Sequence, residues 1–206
     1  MRLAFEFEVP SWDQIYDMLL GLADKIKQDR YRPDIIVGIS RGGWPPARIM
    51  SDLLGNPELA NVKVEFYEGV GKTREVPVIT QPISVPVKES RVLLMDDVAD
   101  TGRSLKLVKE RAVKCGAREV RTATIYYKPW SIIKPDYYMM ETRKWIVFPW
   151  ERKETVKQLL RECREKCLPI DVLKQELLKG GMKPELLERL LRDVIEEEQF
   201  GGSEIL

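Results

Sequence analysis

Two patterns of apolar residues alternate along about the first 150 residues of the chain. Apolar side chains recur at helical spacing after a capping box formed by Ser11 and Gln14, which predicts an amphipathic helix from about 12 to 28. Ile35–Ile39 and Val92–Met95 are short, continuous apolar runs of the kind found in fully buried strands. The alternation predicts an α/β fold, with a mainly parallel, twisted sheet flanked by helices. Further strands are predicted at Val62–Tyr67, Ile83–Val87, Val120–Tyr127, Tyr137–Met140 and Trp145–Phe148.

Two other segments depart from this alternation. Residues 68–82 are turn-rich and partly polar, and they predict an excursion away from the sheet. After Glu151 only helical stripes remain, interrupted by Pro169 and by a Gly-Gly pair. We therefore predict a first domain over residues 1–151 and a helical C-terminal appendage over residues 152–206.

The most informative stretch follows the apolar run that ends at Met95. Two adjacent acids, Asp96 and Asp97, are followed by a polar, glycine-containing turn that opens a helix. The free N–H groups of a helix start attract a phosphate, whereas carboxylates repel it. The acids therefore fit a different task, such as binding the vicinal hydroxyls of a ribose or a Mg²⁺ ion. The stretch predicts a ribose 5-phosphate site, with a helix whose apolar positions are Leu105, Val108, Ala112 and Val113. An ordinary strand–turn–helix with Asp100 at the helix N-cap is the alternative, and it leaves the two preceding acids unexplained.

Composition narrows the possible chemistry. The 206 residues carry 34 basic and 33 acidic side chains, and a net charge of +1 argues against nucleic acid as the main partner. We expect no membrane span and a cytoplasmic location, because no apolar run is long enough to cross a bilayer. The chain has no histidine, which excludes Ser-His and Cys-His nucleophiles and leaves a carboxylate as a candidate general base. Cys163 and Cys167 are expected to share one helix face as small apolar residues.

The stretch from Val92 to Leu105 resembles the phosphoribosyl-diphosphate (PRPP) motif of the type I phosphoribosyltransferases at every position. The resemblance implies the type I fold and a pyrophosphate loop at Ser40-Arg41-Gly42-Gly43, with a cis peptide at Arg41–Gly42. It also implies that Arg74 clamps the pyrophosphate when its loop closes; a solvated loop charge is the alternative. The implied PRPP-binding residues are Asp96, Asp97, Ala99, Asp100, Thr101, Gly102, Arg103 and Ser104.

Two later segments resemble the base-recognition half of the 6-oxopurine phosphoribosyltransferases, and most closely the xanthine–guanine branch. Lys128, followed by proline, would donate to a carbonyl at purine C6 but not to an amino group there. Trp145 offers a stacking face, and Ile146 and Glu151 match positions near the exocyclic 2-substituent. The alternative is that Trp145 and Trp150 are core aromatic residues and Lys128 is a solvated charge at a strand end.

The resemblance implies a purine salvage enzyme that transfers 5-phosphoribosyl from PRPP to N9 of a 6-oxopurine. Mg²⁺ is the implied cofactor, with Asp96 or Asp97 as its ligand, and Asp100 is the implied general base. A homodimer or larger homo-oligomer is expected. Two alternatives stay open: a phosphoribosyltransferase for another base, and a PRPP-sensing regulator whose appendage binds a partner.

Overall fold

The computed structural model describes residues 6–68 and 75–201. Strands and helices alternate through the first part of this described chain, and helices alone follow, as the apolar pattern predicts. The first elements are β1 (Phe7–Glu8), α1 (Trp12–Gln28), β2 (Ile35–Ser40), α2 (Trp44–Leu53), β3 (Glu58–Glu68), β4 (Glu75–Gln81) and β5 (Arg91–Ala99). The remaining ones are α3 (Arg103–Lys114), β6 (Glu119–Tyr127), β7 (Tyr137–Glu141), β8 (Trp145–Ile146), α4 (Arg152–Glu165), α5 (Ile170–Lys179) and α6 (Pro184–Gly201).

Six strands form the main sheet in the order β4-β3-β2-β5-β6-β7. Every neighbouring pair is parallel except β3 and β4, which run antiparallel. The mainly parallel α/β sheet is therefore confirmed. The chain leaves β2 through α2 toward one edge of the sheet and leaves β5 through α3 toward the other. The direction of strand order thus reverses between β2 and β5, which is where ligands bind in open α/β sheets.

The predicted first helix is confirmed together with its cap. The Ser11 N–H donates to the Gln14 Oε1 (2.8 Å), and the Gln14 N–H donates to the Ser11 Oγ (3.1 Å). In α3, Leu105 and Val108 are buried against the sheet strands, as predicted. Val113, however, is exposed, so its assignment to the buried stripe was wrong. Val113 directly follows the buried Ala112. Adjacent residues lie about 100° apart around a helix, so the narrow face of α3 that packs against the sheet includes only one of the two.

The predicted strand at Ile83–Val87 is wrong, and a strand lies earlier, at β4. Proline explains the difference, because it lacks the N–H that a ladder needs. Pro86 lies inside the predicted segment and Pro82 directly precedes it. Pro77 is tolerated in β4 because β4 is an edge strand of the sheet. The excursion predicted over 68–82 is thus a strand over its second half, and residues 69–74 lie outside the described residues.

β1 and β8 form a separate two-stranded parallel pair. Phe7 of β1 and Val147, directly after β8, belong to a second cluster of apolar residues together with residues of α4, α5 and α6. Cys163 is buried in it, whereas Cys167 is exposed beyond the end of α4 with a φ of 51°. The expectation that both cysteines share a helix face was therefore wrong, because α4 ends at Glu165. The predicted extended segment Trp145–Phe148 forms a strand only over its first two residues.

Contacts divide the chain into two compact units, one of residues 15–143 and one of residues 1–14 with 144–206. This is a grouping by contacts, and the division into a 1–151 domain and a 152–206 appendage stays a prediction. None of the described helices is both long enough and apolar enough to cross a membrane.

Candidate active site

The loops that follow β2 and β5 meet because their strands are adjacent and parallel. Gly38 of β2 lies opposite Met95 of β5 in the register. The residues that follow along each strand, Ser40–Gly43 and Asp96–Ser104, therefore lie side by side at the carboxyl ends of β2 and β5. This is the position at which the strand order reverses.

Two glycines let the first of these loops lie directly against β5. A Cβ on Gly43 would lie 2.3 Å from the carbonyl oxygen of Met95, and a Cβ on Gly42 would lie 2.1 Å from the Oδ2 of Asp97. The sequence-predicted pyrophosphate loop and the acid pair are thus in contact. The cis peptide in this loop joins Ser40 and Arg41, one bond earlier than the Arg41–Gly42 position that the resemblance implied.

The two acids are the last polar residues of a strand that is longer than the sequence predicted. β5 runs from Arg91 to Ala99, so Asp96 and Asp97 lie within it rather than after it. Asp97 is buried, and its N–H donates to the Oδ1 of Asp96 (3.0 Å) while its own Oδ1 accepts from the Val98 N–H (2.8 Å). Burial, and then the negative charge of Asp97, raise the pKa of Asp96 well above its ordinary value.

The turn after β5 opens α3 as the sequence predicted. Gly102 is the N-cap, with the left-handed φ of 73°, and no side chain caps the helix. This leaves the helix start available to an anion. Within the turn, the Arg103 N–H donates to the Oγ1 of Thr101 (3.4 Å). A Cβ on Gly102 would lie 2.3 Å from the Oγ of Ser131, so glycine is needed for both its φ and its close approach.

A cleft of about 310 Å³ opens beside this turn. Phe66, two residues before the end of β3, is an exposed aromatic residue on its wall. Phe66 is not among the site residues predicted from the sequence, because alternation in a strand does not show which residues reach a neighbouring loop. Asp97 does not line the cleft. The other lining residues are Asp96, Val98, Ala99, Asp100, Thr101, Gly102, Arg103, Ser104 and Leu105, which include seven of the eight predicted PRPP-binding residues.

The loop after β6 brings Lys128 next to the same turn. Its backbone N–H donates to the carbonyl of Ala99 (3.1 Å), and its side chain is buried. The Nζ of Lys128 lies 5.6 Å from the ring centroid of Trp130. The indole N–H of Trp130 in turn donates to the Oδ1 of Asp100 (3.0 Å). Burial contradicts the alternative that Lys128 is a solvated charge, and Trp130 is a site neighbour that the sequence analysis missed.

The remaining predicted base-binding residues lie in the second unit. Trp145 is exposed and Ile146 is buried, both in β8. Exposure contradicts the alternative that Trp145 is a core aromatic residue. Glu151 is the N-cap residue of α4, and its Oε1 accepts from the Phe148 N–H (3.4 Å). Arg74 lies outside the described residues.

Comparisons with known proteins agree with this geometry. The phosphoribosyl transferase domain model matches residues 11–155, so the chain belongs to the phosphoribosyl transferase family. The predicted type I fold is confirmed. The chain is 32% identical over 150 residues to the xanthine-guanine phosphoribosyltransferase of Cereibacter sphaeroides, covering 68% of this chain and 84% of the relative. It is 29% identical over 143 residues to that of Gluconobacter oxydans, covering 68% and 82%.

Among solved structures, a purine phosphoribosyltransferase from Pyrococcus horikoshii is 42% identical, with a TM-score of 0.65. The match covers 70% of this chain and 93% of that one. The chain is thus longer than this neighbour, and the family model ends at residue 155. Residues 156–206 lie outside the part that defines the family.

Proposed function

We propose that this protein is a purine salvage enzyme. It transfers the 5-phosphoribosyl group of PRPP to N9 of a 6-oxopurine (guanine, hypoxanthine or xanthine) and releases pyrophosphate. One observation carries the proposal: a helix start, an acid pair and a glycine loop meet at the point where the sheet order reverses, in a phosphoribosyl transferase chain. The relatives named for xanthine-guanine and purine phosphoribosyl transfer support the purine class.

The helix start and the acid pair suit the two ends of a ribose 5-phosphate. The turn Asp100–Ser104 would hold the 5-phosphate through N–H groups at the start of α3 and the hydroxyls of Thr101 and Ser104, with Ala99 and Arg103 beside it. Asp96 and Asp97 would accept from the ribose hydroxyls. The loop Ser40–Gly43 would face the pyrophosphate with backbone N–H groups, helped by Arg74.

Catalysis in this arrangement is positioning plus a proton transfer. The C1′–O bond to pyrophosphate breaks and the N9–C1′ bond forms, through an oxocarbenium-like transition state. Asp100 would accept the proton from N7 of the purine as N9 becomes nucleophilic. Its position in the cleft wall and its exposure leave it accessible to a substrate.

The base is recognised, in this proposal, by donors that match a carbonyl at C6. Lys128 would donate to that carbonyl; its side chain is buried, and its ammonium lies beside the ring of Trp130. Trp145 would stack on the purine through its exposed ring. Ile146 and Glu151 would contact the 2-substituent through backbone carbonyl groups.

Mg²⁺ fits this site as an ion that arrives with PRPP. It prefers oxygen ligands and is commonly held by one or two carboxylates together with substrate phosphates. Asp96 and Asp97 supply carboxylates, and within residues 6–68 and 75–201 no group of three or more Cys, Asp or Glu residues is placed to hold a metal ion. When bound, the ion would neutralise charge on the departing pyrophosphate.

Further proposals concern the whole protein. We propose a cytoplasmic location and a homodimer or larger homo-oligomer, with PRPP and a purine as its ligands and no nucleic acid or membrane partner. We also propose that residues 1–151 carry the reaction and that residues 152–206 are a helical appendage.

The test is PRPP-dependent pyrophosphate release with guanine, hypoxanthine, xanthine and adenine, each with and without Mg²⁺. We expect turnover with at least one 6-oxopurine, adenine as a poor acceptor, and no turnover without Mg²⁺. The variant Lys128→Met keeps an unbranched side chain, one heavy atom shorter than that of lysine, and removes the donor. It should lower kcat/KM for the 6-oxopurines far more than for adenine.

Two other outcomes of this assay would contradict parts of the proposal. Faster turnover of adenine than of the three 6-oxopurines would contradict the base assignment. PRPP binding by calorimetry with no pyrophosphate release from any purine or pyrimidine would contradict the enzyme proposal and favour a PRPP-sensing regulator.

A further inference from the structure

Trp130 contacts two residues to which the proposed reaction gives separate tasks. Its indole N–H donates to the Oδ1 of Asp100 at 3.0 Å. Its ring lies 5.6 Å, centroid to Nζ, from the ammonium of Lys128. One side chain thus contacts the residue proposed to take the N7 proton and the residue proposed to read C6.

The backbone fixes this arrangement, because the loop after β6 is hydrogen bonded to the turn after β5. The Lys128 N–H donates to the Ala99 carbonyl (3.1 Å), and the Ile132 N–H donates to the Thr101 carbonyl (3.0 Å). Gly102 packs so closely on Ser131 that a Cβ would not fit. The position of Trp130 relative to Asp100 is therefore set by neighbouring main-chain contacts.

Burial does not explain a tryptophan at this position. Trp130 keeps half of its surface exposed. A large apolar ring that remains in water contributes little to the core. What it does provide is a donor aimed at a carboxylate and an aromatic face near a cation, two interactions that hold charged groups in place.

We propose that Trp130 is a positioning residue for base recognition and proton transfer, an inference that rests on the proposed function. A 6-oxopurine protonated at N7 presents an acceptor at C6 and a donor at N7 on the same edge of the base. Lys128 donates and Asp100 accepts, so their separation has to match that edge. Trp130 sets this separation by holding one oxygen of Asp100, which leaves Oδ2 for the purine, and by placing its ring beside the ammonium.

The two functions of the indole can be separated by substitution. Trp130→Phe keeps an aromatic face for Lys128 and removes the donor to Asp100. Trp130→Gln keeps a donor and removes the face. Hydrogen bonds to charged groups are among the stronger ones, so we expect Trp130→Phe to lower kcat roughly tenfold and to leave the KM for PRPP within about twofold.

Trp130→Gln should recover part of that kcat and raise the KM for the purine, because the face beside Lys128 is gone. A double-mutant cycle then shows whether Trp130 acts through Asp100. In an Asp100→Asn background, Trp130→Phe should have little further effect on kcat. A purely structural role would give the same fold-loss in both backgrounds.

Trp12→Phe is the matched control, since Trp12 is exposed to the same extent and belongs to α1. It should leave kcat unchanged, and thermal melting should show that every variant is folded. The inference is overturned if Trp130→Phe matches wild type, or if its loss is the same in both backgrounds. If the wild-type protein turns over no purine, both the inference and the proposed function are overturned. If the wild type is active and Trp130→Phe has no effect on kcat, only the inference is overturned.

Discussion

The carboxylate of Asp97 occupies the space that a side chain on Gly42 would need, since a Cβ there would lie 2.1 Å from its Oδ2. This contact joins the glycine loop after β2 to the acid pair of β5. A change of side chain in one part of the proposed PRPP site should therefore disturb the other part, although Gly42 and Asp97 are 55 positions apart in the sequence.

The first prediction follows from that contact. Gly42→Ala should lower the free energy of unfolding by about 1–3 kcal/mol, the usual cost of forcing extra atoms into a packed site. In an Asp97→Ala background the obstructing carboxylate is absent, so the same substitution should cost less than about 0.5 kcal/mol. Urea unfolding of the four proteins measures this coupling. An equal loss of stability in both backgrounds would show that the destabilisation by Gly42→Ala does not come from contact with Asp97.

A second prediction concerns the acid pair itself. Burial and the charge of Asp97 raise the pKa of Asp96. Ionised Asp96 therefore lowers the stability of the folded protein. Asp96→Asn keeps the shape and removes the charge. We expect the melting temperature to stay the same or rise, while calorimetry shows weaker PRPP binding in the presence of Mg²⁺. A large loss of stability with unchanged PRPP affinity would assign Asp96 to folding instead.

The third prediction tests the proposed general base. Asp100→Asn can still accept the indole N–H of Trp130 through its carbonyl, but it cannot take a proton. Loss of general-base help costs ~10²–10⁴-fold in rate. We expect kcat to fall on that scale, with little change in PRPP affinity. A variant within a few-fold of wild type would remove Asp100 from this role.

The sequence predicted the features that local patterns determine and missed those that depend on pairing between distant segments. The capping box at Ser11 and the run at Val92–Met95 are local, and both gave the correct elements. The strand β4 depends on its antiparallel partner β3, and its exposed valines carry no burial signal. The sequence therefore did not reveal β4, and the strand was predicted at Ile83–Val87 instead.

The same distinction applies to the site. The PRPP motif is a continuous stretch, so its residues could be singled out from the sequence, and the structure places most of them around one cleft. Phe66 lines that cleft from β3, and Trp130 reaches Asp100 from the loop after β6, so only the fold brings these two residues to the site. The Lys-Pro-Trp order was a usable signal for Trp130, because a residue two positions after a strand-end lysine stays near the same edge of the sheet.

A fourth prediction concerns an ion pair that joins the starts of β2 and β5, at the opposite ends of these strands from the site. Asp34 accepts from the side chain of Arg91 (2.7 Å) and from its backbone N–H (2.8 Å). The side-chain hydrogen bond, and then the backbone one, lower the pKa of Asp34 to about 2. Because the pKa of Asp34 is lower in the folded protein, its ionised carboxylate stabilises the fold at pH values above its ordinary pKa of 3.8. That stability is lost as the pH falls through about 2.

Asp34→Asn should therefore destabilise the protein at pH 7 and have a smaller effect as the pH approaches 2. The pair is partly exposed, so we expect a cost of only about 1 kcal/mol at neutral pH. Urea unfolding of both proteins between pH 2 and pH 7 measures the difference. A constant difference across that range would show that the ionisation of Asp34 contributes nothing.

The last prediction concerns the helices outside the family model. Leu177 of α5 is completely buried in a cluster that includes Phe7 of β1 and Val147, which directly follows β8. The Val9 N–H also donates to the carbonyl of Gly180 (2.8 Å), directly after α5. The C-terminal helices therefore pack in one core with β1, the strand that pairs with β8 and its Trp145. An appendage attached only by a linker would not share a core in this way.

Leu177→Ala should lower the free energy of unfolding by about 2–5 kcal/mol, because it leaves a cavity in that shared core. The neighbouring Leu178 is exposed on the same helix, so Leu178→Ala is a matched control that should change stability by less than about 0.5 kcal/mol. We also expect Leu177→Ala to raise the KM for the purine more than the KM for PRPP, since the disturbed core supports β8 rather than β5. Urea unfolding and steady-state kinetics on both variants measure these effects. If both variants behave like wild type, the C-terminal helices are an independent module and the core they share with β8 does not support base binding.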